Sequence, residues 1–192
     1  MVKRFIDYLR YERNYSKKTI LEYQADLADF EEFFKKTDQN LTWQNVDGDI
    51  IRMWMEEMMD RGCTARTVNR RLSAVRSLYK FLLAHGFVDK DPARAIIGPK
   101  SEKPLPTFVK EDDMQRILDP TMWNMSDFEN VCERILILVF YETGMRVSEL
   151  VSLTDDMVDF VNMQLKVTGK RNKQRIIPFG EEMKNELLYY IK

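Results

Sequence analysis

Through the first hundred residues, apolar positions recur at three- and four-residue spacing, the mark of helices with one buried face. Ser16 offers a hydroxyl placed to cap a helix, and after it Ile20, Tyr23, Leu27, Phe30 and Phe34 trace one stripe. The aromatic run Tyr23, Phe30, Phe33 and Phe34 reads as core. Asp47 caps the next helix, in which Ile50, Met53 and Trp54 form the apolar line and Gly62 the stop. Thr64 opens a longer helix over 64–84, ended by Gly86. His85, near that end, reads as a capping residue whose charge suits the helix dipole. Asp91-Pro92 has the form of a cap followed by Pro at a first helical position.

The pattern breaks at Gly98-Pro99-Lys100-Ser101-Glu102-Lys103-Pro104-Leu105-Pro106. Prolines this dense stop regular structure and favour an extended connector. The expected organisation is a helical domain over 1–97, a proline-rich connector over 98–107 and a second domain over 108–192. The second domain opens with a short helix over 110–118. A strongly apolar helix follows, with Val131, Ile135, Leu136, Leu138 and Val139, ending at Gly144; then comes a short helix over 147–153. Residues 164–167 and 175–177 read as β-branched strands around the polar turn Gly169-Lys170-Arg171-Asn172-Lys173. A last helix covers 181–191. The predicted fold is mainly α, a helical bundle followed by an α+β part with a small β-hairpin.

Composition narrows the class. Of 192 residues, 44% are apolar and 32% charged, with 7 Gly and 6 Pro, which fits well-solvated helical domains and excludes a loop-rich or disordered chain. Cys63 and Cys132 form neither a disulfide framework nor a zinc pattern. No apolar run has signal-peptide or membrane-spanning length, so a reducing, cytoplasmic location is expected and no membrane partner. The net charge of −1 is uninformative, but residues 1–100 carry 18 Lys and Arg against 15 Asp and Glu, and residues 101–192 carry 12 against 16.

Four clusters could carry chemistry. Residues 61–80 hold six basic residues, Arg61, Arg66, Arg70, Arg71, Arg76 and Lys80, and no acid. Val68, Leu72, Val75, Tyr79 and Leu82 share one face of this helix, and Arg66, Arg70, Ser73, Ser77 and Lys80 the other. Such a face can lie on a duplex with basic groups on phosphates, helped by Thr64 and Thr67 at the helix start; it equally describes a solvated surface helix. Ser16-Lys17-Lys18-Thr19 can hold a phosphate at a helix start or be an ordinary cap. Thr143-Gly144-Met145-Arg146-Val147-Ser148-Glu149-Leu150 places a guanidinium fork after a turn, and Arg146–Glu149 also reads as a plain surface pair. Lys166–Arg175 holds five basic residues, among them Lys173 and Arg175, and no acid. A hairpin so charged suits a groove, or serves solubility.

These blocks resemble the tyrosine recombinases, especially the Xer and phage-integrase type. Residues 140–153, FYETGMRVSELVSL, look like that family's first arginine box; residues 165–178 look like its β-hairpin; RTVNRRLSAVRSLYKFL resembles its SAM-like core-binding domain and DPARAIIGPKSEKPLPTF its interdomain linker. The resemblance implies a DNA-clamping domain and the front of a catalytic domain. It implies phosphodiester cleavage by a tyrosine through a covalent 3′-phosphotyrosine, with no metal or cofactor because the link conserves the bond energy. It makes Arg146 the transition-state ligand, Lys170 the general acid and Glu149 an orienting residue, with double-stranded DNA and further protomers, four in the full assembly, as partners. Arg171 stands where the family usually has Gly. The family's His-x-x-Arg box and nucleophilic Tyr are not found, and Tyr189 and Tyr190 lie too early, so the chain is expected to be a front portion that binds DNA without cleaving it. A non-catalytic regulator derived from an integrase, and a helical interaction protein, are the alternatives.

Overall fold

The computed structural model describes residues 1–102, 105–169 and 173–191. It divides into two compact units, Met1–Pro104 and Leu105–Lys192, each with its own apolar core.

The first unit holds four helices: α1 (Val2–Tyr11), α2 (Lys17–Thr37), α3 (Gly48–Asp60) and α4 (Ala65–Ala84). Three begin on side-chain caps: Ser16 accepts from the Thr19 N–H, Asp47 from those of Asp49 and Ile50, and Thr64 from that of Thr67. Each satisfies amide donors that a helix start leaves unpaired. α1 has no such cap; burial of Phe5, Ile6 and Leu9 holds it, with Phe5 and Tyr8 against the Phe81 ring. α4 packs against the other three helices and buries Val68, Leu72, Ala74, Val75, Leu78, Tyr79 and Leu82. His85 caps its end, its Nδ1 within 2.9 Å of the Phe81 carbonyl.

Two expectations need correction here. On α3 the buried line is Ile51, Trp54 and Met58, while Met53 is 45% exposed. The two candidate lines share Trp54 and are adjacent on the wheel; the Trp54 indole decides between them by turning onto Phe30 and donating to Asp29. Asp91-Pro92 starts no helix. The Asp91 carboxylate accepts from the Ala93 N–H at 2.9 Å, a side-chain-closed turn, and Ala93 and Ile96 drop into the core.

The chain leaving this turn is fastened to α4. Asn69 donates to the Pro99 carbonyl at 2.7 Å, and Arg76 donates to the Ile96 carbonyl. A Cβ on Gly98 would lie 1.8 Å from Asn69 Oδ1 and 3.0 Å from its Cγ, so a side chain there would have to push the Asn69 amide aside. Gly98→Ala should cost roughly 1–3 kcal/mol as an overpacking change, measured by urea denaturation. In an Asn69→Ala background, which has already lost the bond to the Pro99 carbonyl, the same Gly98→Ala change should cost much less because the space is clear.

The second unit runs α5 (Glu111–Leu118), a 3-10 turn (Pro120–Met122), α6 (Phe128–Thr143), α7 (Val147–Val151), a second 3-10 turn (Asp155–Met157), β1 (Val158–Asp159), β2 (Gln164–Thr168), β3 (Gln174–Pro178) and α8 (Glu181–Ile191). The sheet is antiparallel in the order β1-β2-β3, with Val158 opposite Leu165 and Lys166 opposite Ile176. Leu165 and Val167 point into the core and Lys166 outward, the period of two that strands impose. They meet Val131, Ile135 and Val139 of α6 and Met183 and Leu187 of α8. Of the apolar residues of α6, Leu136 is exposed, and Arg134 is buried. β1 is a two-residue strand that no pattern announced. Among the described residues the architecture is mainly helical with one small sheet, as the pattern predicts.

Candidate nucleic-acid interface

On the first unit the predicted residues divide into free and engaged groups. Ser16 and Thr19 hydroxyls lie 2.8 Å apart at the start of α2, and Thr64 and Thr67 hydroxyls 3.0 Å apart at the start of α4. Both pairs sit where free N–H groups and the helix dipole attract an anion. Lys17, Lys18, Arg66 and Lys80 are exposed. Ser73 is exposed and donates back to the Asn69 carbonyl at 2.8 Å.

Arg70, Arg71 and Arg76 are engaged within the unit. Arg70 grips Asp26 with two bonds, of 2.6 and 2.9 Å, and Arg71 donates to Asp29 at 3.0 Å. The positive face of α4 is therefore partly neutralised by α2. Asp26 is buried; that burial raises its pKa above the ordinary value, against the opposing pull of Arg70 and Arg71. Reasoning on one helix misses these partners because they lie on another. The available signal is the pair Asp26 and Asp29, three residues apart, flanking Leu27 in the apolar stripe of α2. Arg70 still leaves 47% of its side chain exposed. With Thr19, Glu22, Tyr23, Asp26 and Ser73 it lines an open groove of about 220 Å³. The structure thus brings Thr19, Arg70 and Ser73 together.

On the second unit, α6 ends on Gly144, whose φ of 57° lies in the left-handed region that favours glycine. The chain then turns so that Arg146 occupies the N-cap of α7. Glu149, one turn later and almost fully buried, accepts from the Arg146 N–H at 2.8 Å and from Arg146 Nη1 at 2.8 Å. From β3, Arg175 adds Nη1 to Oε1 at 2.6 Å and Nη2 to Oε2 at 2.8 Å. Arg175 is thus committed to Glu149, whereas the sequence offers it as a free hairpin cation. Lys173 is exposed. Lys170 and Arg171 lie outside the described residues.

The Arg175 fork, with the Arg146 N–H, holds the Glu149 carboxyl down to about 2 from an ordinary 4.5. A depressed folded pKa gives stability that is present above the unfolded value and lost as pH falls toward the folded one. The stability difference between the natural chain and Glu149→Gln should therefore be largest above pH 4.5 and shrink between 4.5 and 2, read from urea denaturation at stepped pH. A pH-independent difference would mean that the carboxylate is not held by its cations.

Residues 2–86 match the family described as phage integrase, N-terminal SAM-like domain, and residues 107–192 match the phage integrase family. The chain belongs to the tyrosine recombinases of the phage integrase family. Among recombinase relatives, it is 33% identical to tyrosine recombinase XerC of Bacillus subtilis over 99% of its own length and 62% of that protein's. It is 35% identical to tyrosine recombinase XerD of Rickettsia bellii over 99% of its length and 63% of that protein's. It spans about 62% of the length of such relatives. The integrase fold recurs in the Tn1549 transposon integrase solved with transposon right end DNA, with a TM-score of 0.73 at 18% identity over 97% of this chain and 63% of that one. It recurs also in a lambda integrase dimer bound to a COC′ core site, with a TM-score of 0.69 at 18% identity, over 97% of this chain and 66% of that one.

Proposed function

We propose that this recombinase chain grips duplex DNA, serving strand cleavage and rejoining through a phosphotyrosine. Arg146 is the ligand for the reacting phosphate, Lys170 the general acid and Glu149 the group that orients Arg146. We assign neither the nucleophilic Tyr nor the His-x-x-Arg box of this chemistry to these residues: the one histidine is His85, in the first unit, and the Tyr189 hydroxyl donates to the Met125 carbonyl. The activity proposed for the chain by itself is therefore binding. No metal or cofactor enters the proposed reaction, since the phosphotyrosine link keeps the bond energy for rejoining. Lambda integrase has been solved as a dimer on a core site and as a tetramer on a Holliday junction; we extend assembly of protomers on DNA to this chain. We place the chain in the cytoplasm with its proposed DNA partner; among the described residues no helix is long and apolar enough to cross a membrane.

The observation that carries the proposal is the groove between α2 and α4. Thr19 from a helix start, Arg70 and Ser73 share it, and Arg66 and Lys80 stand exposed on α4. The hydroxyls of Thr19 and Ser73, the exposed part of the Arg70 guanidinium and the start of α2 suit a phosphate, with Glu22 and Asp26 in the same groove opposing them and Arg66 and Lys80 adding positive charge along α4.

Fluorescence anisotropy with a labelled duplex tests it. The logarithm of affinity should fall linearly with that of salt, with a slope of about −0.9 per phosphate neutralised. Arg66→Ala and Lys80→Ala should each weaken binding on every sequence and lower the slope by about one. Arg70, Arg71 and Arg76 are poor reporters, because reversing Arg70 would set a second carboxylate on Asp26 and damage the fold. Binding that ignores salt, or no binding at low salt, would sink the proposal.

A further inference from the structure

Arg175 is placed by its charge and its hairpin among candidate DNA contacts, yet its guanidinium faces inward, onto Glu149. The geometry points to Arg175 as a positioning residue: acting through the Glu149 carboxylate, it sets the direction of the Arg146 guanidinium and ties the arginine turn to the hairpin strands.

The argument starts from how little else holds Arg146. Its side chain is 64% exposed, whereas that of Glu149 is 2% exposed. A long exposed side chain samples many rotamers, and an i,i+3 pair on a short helix restrains it weakly. α7 spans only five residues, so the helix itself supplies little rigidity. The carboxylate is different. Each of its oxygens accepts one bond from Arg146 and one from Arg175: Oε1 takes Arg146 Nη1 and Arg175 Nη1, and Oε2 takes the Arg146 N–H and Arg175 Nη2. A bidentate fork fixes the plane of a carboxylate as well as its position. With that plane fixed, Oε1 meets Arg146 along one direction. Without Arg175, the Glu149 side chain could turn about its terminal torsion, which has a broad minimum, and Arg146 would turn with it.

The backbone beside the cluster supports the same role. A Cβ on Gly169, at the end of β2, would come within 2.8 Å of Glu149 Oε1, 3.4 Å of Arg175 Nη1 and 3.6 Å of Arg146 Nη1. The strand end thus lies against all three groups, and glycine there leaves them room. The Gly169 N–H donates to the Lys173 carbonyl at 2.8 Å, one more bond joining the two strand ends. One carboxylate between two guanidiniums leaves the cluster with one positive charge in excess.

The inference rests on the reading of Arg146 as a phosphate ligand only for its consequence; the geometry can be tested without DNA. The full chain is labelled with 15N-arginine, and the Arg146 side-chain signals are followed in Arg175→Met and Arg175→Lys. In the natural chain the Arg146 Nη signals should be separated by slow rotation about Cζ–N. Arg175→Met should merge them; in a uniformly 13C- and 15N-labelled sample of the same variant the Glu149 carboxyl should move from about 2 toward its ordinary value, with the amide spectrum of β2, β3 and α8 retained. Arg175→Lys keeps the charge but replaces the fork with a point donor, so it should give an intermediate result. If the Met variant fails to fold, the Lys variant decides: an Arg146 signal unchanged by that substitution overturns the proposal. An unchanged Arg146 in Arg175→Met also overturns it, and a salt slope for DNA lowered by about one in that variant would then make Arg175 a direct phosphate contact. Failure of the chain to bind DNA at all would leave these signals as predicted and would strike the proposed function instead.

Discussion

Trp54→Ala should cost about 3–5 kcal/mol, the range for deleting a buried aromatic ring, enough to leave the first unit largely unfolded in mild denaturant. The indole is fully buried, its ring 4.8 Å from that of Phe30, and its Nε1 donates to Asp29 at 2.9 Å. Truncation opens a cavity between α2 and α3 and removes one donor from a carboxylate that also holds Arg71. Trp54→Phe weights the two effects differently: it keeps most of the packing and loses the hydrogen bond, whose share is about 1.5–3 kcal/mol for a charged acceptor. Far-UV circular dichroism during urea unfolding measures both, with the transition of the second unit as an internal control. A cost for Trp54→Ala below about 1 kcal/mol, the level of an ordinary surface change, would mean that the ring is not packed as described. DNA affinity should fall with stability, because the same carboxylate steadies the arginine face of α4.

What could be seen in the sequence of this unit was local. Ser16, Asp47 and Thr64 are caps because their side chains bond amides two or three residues on, a geometry that spacing alone specifies. The stripe of α2 and the break at the prolines are equally short-range. What could not be seen was which helix faces which. The run of basic residues on α4 looked uncompensated because Asp26 lies 44 residues from Arg70 and Asp29 lies 42 from Arg71. Ala74 and Leu78 are buried too, which narrows the free face to fewer positions than the wheel suggested. Asp91-Pro92 failed for the opposite reason: its cap signal is sound, but Ala93 and Ile96 are taken by the core before a helix can propagate.

In the second unit the hairpin was legible from alternation and turn residues, and the arginine turn from Gly144. The clamp was not, since the plain reading of Arg146 and Glu149 as an i,i+3 pair is true and incomplete. Arg175 completes it from 26 residues away. Its position in a basic run masked that role, because charge density along a chain says nothing of where each side chain turns. Arg134 was hidden in the same way, as a cation on a helix whose apolar residues dominated the pattern.

That arginine gives the second large effect. Arg134 is 3% exposed; its Nε donates to the Leu118 carbonyl at 2.7 Å and its Nη atoms to Glu186 at 2.6 and 2.9 Å. One guanidinium thus ties the end of α5 to α6 and α8. Glu186→Leu would leave a buried cation with a single carbonyl partner, and the expected loss is about 3–5 kcal/mol. Arg134→Met together with Glu186→Leu removes both charges and keeps the volume. That double variant should return to within about 1 kcal/mol of the natural chain, because a buried ion pair is often matched by well-packed apolar residues. Urea denaturation of the three chains reports the cycle. If the single variant costs no more than an exposed pair, under about 1 kcal/mol, water reaches the guanidinium and the tie is weak. Its strength bears on the proposed phosphate ligand, since α6 runs from this tie to Gly144 and presents Arg146 two residues beyond. A loosened α6 should therefore blur the Arg146 side-chain signals even with Arg175 and Glu149 intact, and the apolar double variant should sharpen them again.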